Sequence, residues 1–85
     1  MTSVEKFKNL LDERYTWPAR YTFKFIVPTH KQFLVENLVT EYKVVKKMSR
    51  TGKFVSVNAT KICESSDEVI ATYQKVSVVE GVVSL

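Results

Sequence analysis

The hydrophobic period changes several times along the chain, and each change marks an element. Val4, Phe7, Leu10, Leu11 and Tyr15 recur at helical spacing, so residues 4–15 are predicted to form an amphipathic helix with Ser3 as its N-cap. Trp17-Pro18 closes it, because a residue that precedes proline is pushed out of the helical region. From Tyr21 the period drops to two. Tyr21, Phe23, Phe25 and Val27 fall on one face and Thr22, Lys24 and Ile26 on the other, which predicts a strand that Pro28 stops. Thr29 and Gln32 then stand at capping-box spacing and predict a helix from about His30 to Val39, with Phe33, Leu34 and Leu38 buried.

The alternation returns at Tyr42, with Tyr42, Val44, Lys46 and Met48 opposite Lys43, Val45 and Lys47. Lysines on both faces suit an edge strand, where charge discourages pairing with another chain. Ser49 to Lys53 supplies a turn in which Gly52 is free to take positive φ. Phe54 to Ile62 follows as a longer strand, with Val55, Val57 and Ala59 facing one way and Phe54, Ser56, Asn58, Thr60 and Ile62 the other, and the two strands make a hairpin. Ser65-Ser66-Asp67-Glu68 is a second capping box with its acids in the first turn, where the helix dipole favours them. Val69, Ile70, Tyr73 and Val76 carry that helix to residue 75 or 76, and Gly81 to Leu85 reads as a short final strand.

Residues 1–18 are thus predicted to be a helical arm and residues 19–85 one domain of order strand, helix, strand, strand, helix, strand. That order is the α+β, ferredoxin-like split βαβ pattern (βαββαβ), an antiparallel sheet. Right-handed crossovers place its first and third strands centrally, its second and fourth at the edges, and both helices on one face.

Length and composition narrow the picture. A chain of 85 residues builds one hydrophobic core. One cysteine, Cys63, leaves no intramolecular disulfide and no Cys-x-x-Cys pair, which points to a reducing compartment. Glu5, Lys6 and Lys8 interrupt the apolarity of the N-terminal segment, so neither a signal peptide nor a membrane span is expected, and the expected location is the cytoplasm. The net charge of +4 is unevenly spread: Lys43, Lys46, Lys47, Arg50, Lys53 and Lys61 follow one another with no acid between them, and Glu64, Asp67, Glu68 and Glu80 come afterwards.

Within this pattern Ser49-x-x-Gly52-x-Phe54-x-Ser56-Val57 is similar to the hairpin signature of the YbeD-like family, small bacterial proteins of unassigned biochemical function. The first strand, YTFKFIVP, and the C-terminal segments TYQKV and VVSL also resemble that family, so the likeness covers nearly all of residues 19–85. The resemblance implies a ferredoxin-like domain reminiscent of the regulatory ACT domains, one that regulates or binds and does not catalyse. The N-terminal helix is longer and more charged than in some members.

The residues supply little catalytic chemistry. Acylphosphatases of ferredoxin-like fold follow their first strand with a glycine-rich loop and an arginine that cradle phosphate, and copper chaperones place a Cys-x-x-Cys pair there; here the position reads Val27-Pro28-Thr29-His30. An iron–sulfur cluster needs about four ligands, most of them thiolates. His30, the only histidine, has no acid–base partner nearby in sequence, and Glu64 beside Cys63 would raise the thiol pKa and weaken it as a nucleophile. Gly52 lacks the further glycines and the following helix of a phosphate loop. No enzyme activity, metal or cofactor is expected. The leading expectation is a regulatory or interaction domain that binds a protein partner or a small-molecule effector, with a homodimer through a sheet edge or the open sheet face as its assembly.

RNA is the second candidate partner, because Lys53-Phe54-Val55-Ser56-Val57 is faintly similar to the third-strand motif of RNA-recognition domains. Ser56 stands where a second stacking aromatic belongs, and the paired face of the first strand is Thr22, Lys24 and Ile26. The candidate binding patch is Lys46, Lys47, Arg50, Lys53, Phe54, Ser56 and Asn58.

Overall fold

Strand β1 (Ala19–Pro28) is one of two central strands, flanked on both sides and carrying a long apolar row to bury. In the computed structural model, which describes residues 2–85, β1 pairs antiparallel with β3 (Phe54–Cys63) from Ala19 opposite Cys63 to Pro28 opposite Phe54. Strand β2 (Lys43–Met48) lies on the other side of β3, Lys43 opposite Thr60 and Met48 opposite Val55. The two-residue β4 (Val83–Ser84) pairs with β1 at Ile26 and Phe25. The result is an open, four-stranded antiparallel sheet of order β2-β3-β1-β4, with the first and third strands central and the second and fourth at the edges.

The period-two pattern decides which face is buried. Phe23, Phe25 and Val27 of β1 and Val55, Val57 and Ala59 of β3 form one cluster with Leu11 of α1 (Ser3–Arg14), Val35 of α2 (Gln32–Leu38) with the following Val39, and Val69, Ile70 and Val76 of α3 (Ser66–Val76). Because helix and strand residues share that cluster, the three described helices lie over the same face. Rings brace its centre. Phe23 meets Tyr21 at 4.8 Å, Tyr73 at 5.1 Å and Tyr42 at 5.9 Å between centroids, tilted or edge-on as the charge distribution of aromatic rings favours.

Several local expectations are corrected. The cap of α1 is Thr2, whose hydroxyl accepts from the Glu5 N–H at 3.1 Å, and not Ser3. The helix stops at Arg14, earlier than the proline requires, because Tyr15 is already extended and stacks on Trp17 and packs against Tyr21, each at 5.5 Å. The Thr29–Gln32 capping box does not form. The Thr29 hydroxyl donates to the Gly52 carbonyl at 2.6 Å, the Gln32 amide donates to Glu36 at 3.0 Å, and residues Thr29–Lys31 make a 3-10 turn before α2 begins. The 3-10 turn, with about 3.0 residues per turn in place of about 3.6, changes the angle at which the following helix meets the sheet. Val35 and Val39 therefore point inward with Leu38 partly buried, while Phe33 is 56% and Leu34 38% exposed. Ser65 caps α3 as expected, accepting from the Glu68 N–H at 3.3 Å, while the Glu68 carboxylate reaches past the cap residue to the preceding N–H, that of Glu64, at 2.7 Å.

The hairpin tip is closed on itself. Ser49 donates its N–H to the Phe54 carbonyl at 2.7 Å, accepts from the Gly52 N–H on its own carbonyl at 3.0 Å, and accepts the Phe54 N–H on its hydroxyl at 3.1 Å. Gly52 has φ +76°, where a side chain is strained. With the Gly52 and Phe54 amides engaged and the Gly52 carbonyl taken by Thr29, the glycine serves the turn and does not form a phosphate cradle.

The burial pattern gives a direct contrast between two phenylalanines. Phe23→Ala, at a fully buried ring, is expected to cost about 3–5 kcal/mol, whereas Phe33→Ala is expected to cost under about 1 kcal/mol. Urea unfolding followed by far-UV circular dichroism measures both, and equal losses would contradict the orientation of α2.

Candidate binding face

The side of the sheet opposite the helices is built by the residues that alternate with the core. Across the strands, Lys43, Thr60 and Thr22 stand in one row, Val45, Asn58 and Lys24 in the next, and Lys47, Ser56, Ile26 and Val83 in the third. Arg20 and Ile62 pair at one end, Pro28 and Phe54 at the other. The Thr22 and Thr60 hydroxyls meet at 3.0 Å across the central pair. A concavity of about 590 Å³ opens over Arg20, Thr22, Lys43, Val45, Asn58 and Thr60, a size suited to a small molecule. Asn58 Oδ1 is buried in this floor and has no hydrogen-bond donor from the protein.

Charge is segregated by element. No strand carries an aspartate or glutamate, and every carboxylate residue lies on a helix or a connection. Among the described residues the ion pairs involve Lys8, Lys31, Lys46 and Lys61. Arg20, Lys24, Lys43 and Lys47, which share the open face, have no carboxylate partner among the described residues. Like charges gathered on one face raise the local concentration of anions.

The sequence-derived patch is thereby divided. Lys47, Ser56, Asn58 and Phe54 do lie together on the open face, Phe54 at its end and 46% exposed. Arg50 reaches a shallow hollow of about 250 Å³ shared with Ile26, Lys47, Phe54 and Ser56. Lys53 is exposed in the turn. Lys46 stands opposite Val57, on the helix-covered side, where it pairs with Glu36 of α2. Such a partly exposed pair contributes about 0.2–1 kcal/mol, and it removes Lys46 from the open face. Arg20, Lys24 and Lys43 lie outside the sequence-derived patch, although extending the first strand's alternation back through Arg20 and pairing both the first and the second strand with the third finds them.

Several other polar groups bond to one another within the domain. Tyr42 lies between Lys61 and Lys75, whose ammonium groups stand 5.2 and 4.9 Å from its ring centre. The Thr72 hydroxyl donates to the Glu68 carbonyl at 3.0 Å, so it accepts from the Tyr42 hydroxyl at 2.7 Å, which in turn accepts from Lys75 at 3.2 Å. Glu68 holds Lys61, and the backbone N–H of Glu64, followed by the Lys61 ammonium, keeps the Glu68 carboxyl below its ordinary range. Burial, with the Glu68 charge nearby, pushes the Cys63 thiol up and keeps it protonated. Burial and the Tyr21 hydroxyl, 3.1 Å away, likewise raise the Tyr73 phenol. His30 is exposed in the 3-10 turn. Among the described residues there is no group of three or more His, Cys, Asp or Glu placed to hold a metal ion, and no helix is long and apolar enough to cross a membrane.

An open sheet face beside a closed, glycine-bearing hairpin tip defines a small α+β domain. The family model described as a protein of unknown function, DUF493, matches residues 12–85, and the chain belongs to that family, the same one that the hairpin signature resembles. The match begins inside α1, so most of that helix lies outside it. No curated protein and no solved structure matches the chain.

The Glu68 anchor makes stability depend on acid. A carboxyl whose folded pKa is depressed contributes stability that is present above the unfolded value, near 4.5, and is lost as pH falls through the folded value. Glu68→Gln is therefore expected to lower the urea midpoint at pH 7 and to flatten its fall on acidification below about pH 5. Parallel acid profiles for the two proteins would contradict this.

Proposed function

We propose that the protein is a non-catalytic regulatory binding domain of the ferredoxin-like class, acting in the cytoplasm, whose open sheet face takes a small anionic effector. The observation that carries this reading is the gathering of Arg20, Lys24, Lys43 and Lys47, with no carboxylate partner among the described residues, on a sheet face that no helix covers, where Arg20 and Lys43 line the concavity and Lys24 and Lys47 stand on neighbouring rows. Cationic groups at the rim supply attraction for a carboxylate or phosphate. The Thr22 and Thr60 hydroxyls supply orientation, and Val45 and Ile62, 59% and 50% exposed, supply apolar contact for the rest of the molecule.

The same face is a poor platform for RNA bases, because its one aromatic side chain, Phe54, sits at the end of the sheet beside Pro28. Two copies meeting through this face would oppose four cations with four more, so a face-to-face homodimer is disfavoured without an anion between them.

A thermal-shift screen of carboxylate- and phosphate-bearing metabolites with a short apolar chain tests the reading. A ligand at ten times its Kd contributes about 1.4 kcal/mol and raises Tm by roughly 6–11 °C in a domain of this size. The triple variant Arg20→Gln, Lys43→Gln, Lys47→Gln is expected to abolish the shift, and Lys46→Gln to retain it. A shift that survives the triple variant, or a panel in which no compound shifts Tm, overturns the proposal.

A further inference from the structure

Strand β1 is paired on one side along its whole length and on the other side over only part of it. Strand β3 covers Ala19 to Pro28, whereas β4 covers Phe25 and Ile26, followed by one bond from the Leu85 N–H to the Lys24 carbonyl at 2.9 Å. Backbone groups of successive strand residues point to opposite sides, so Thr22 and Arg20 aim their N–H and C=O groups as Lys24 does, toward space where no strand lies. Beside this edge, on the helix-covered side, runs a groove of about 600 Å³ lined by Phe7 of α1, Tyr21 of β1, Tyr73 and Gln74 of α3, and Ser84 and Leu85 at the end of the sheet. The Tyr21 and Tyr73 hydroxyls bond to each other at 3.1 Å, which leaves their rings as apolar walls. On the other side of the edge, Arg20 and Lys24 stand without carboxylate partners.

We propose that this edge receives an extended peptide in which acidic and apolar residues alternate, added as a strand in line with β4. Peptide residues opposite Phe23 and Tyr21 enter the aromatic groove. Those opposite Thr22 and Arg20 exchange backbone hydrogen bonds with them and lie on the open face, within cross-strand reach of Arg20 and Lys24. A complete ladder plus opposite charge is what the slot lacks, and such a peptide supplies both. A second copy of the chain does not fit as well: β1 against β1 places Arg20 and Lys24 of both copies side by side, and no strand carries an acid to answer them. Nucleic acid has no backbone amides to extend the ladder.

The probe is the hexapeptide acetyl-(Val-Glu)3-amide, titrated into 15N-labelled protein. The Thr22 and Arg20 amides are expected to shift most and to become protected from hydrogen exchange. N-methylation of the glutamate amides, which face β1 in the proposed register, is expected to weaken binding at least tenfold, and N-methylation of the valine amides to leave it nearly unchanged. A Val-Lys counterpart is expected not to bind. Binding is also expected to persist in Lys43→Gln, Lys47→Gln protein, which separates this edge from the effector site. The proposal is overturned by shifts centred on Lys43 and Lys47, by equal binding of both N-methylated peptides, by no perturbation at millimolar peptide, or by a Thr22 amide already protected in a concentration-dependent dimer.

Discussion

The pairing of β1 with β3 in one uninterrupted register is the constraint on which the rest of the molecule depends. Ten successive pairs, from Ala19 with Cys63 to Pro28 with Phe54, lock two apolar rows side by side on one face and two polar rows side by side on the other. A slip of one residue would exchange the faces, presenting Phe23 and Phe25 to water and burying Lys24. Core and open face are therefore two consequences of one register. Strand β2 inherits it through β3, and Val44 stands on the core side opposite Ala59 while Lys43 and Lys47 stand outside.

Much of this was legible in the order of residues, because period-two alternation is a local signal. Phe23, Phe25, Val27, Val55, Val57 and Ala59 could be assigned to one face from spacing alone, and all are buried. Legibility failed where a distant partner competes for a local group. Thr29 and Gln32 have capping-box spacing, yet the Thr29 hydroxyl is taken by Gly52, twenty-three positions away, and the helix starts later with a different face inward. The same limit governed the candidate patch. Lys46 and Lys47 are neighbours in sequence and lie on opposite sides of the sheet, whereas Lys47, Ser56 and Ile26 come from three strands and share one row.

The distribution of charge links the fold to its proposed use. The helices and connections hold the carboxylates, where they cap α3 through Glu68 and pair with Lys8, Lys31, Lys46 and Lys61. The strands hold only cations. A net charge of +4 is a modest figure for the whole chain, but four of its cations, Arg20, Lys24, Lys43 and Lys47, share the one sheet face that the helices leave open. The β1 edge beyond β4 adds unpaired backbone groups to that field. Attraction and ladder geometry thus meet along the same strand.

The division of the sheet into a buried and an open face is tested most directly by thiol reactivity at adjacent central strands. In a Cys63→Ala background, Thr22→Cys and Val57→Cys place one thiol on each face. The account predicts that the thiol at position 22 reacts with a small alkylating reagent at a rate close to that of a free peptide thiol, and the one at position 57 at least a hundredfold more slowly under native conditions. Equal rates at the two positions, or a reversed order, would contradict it.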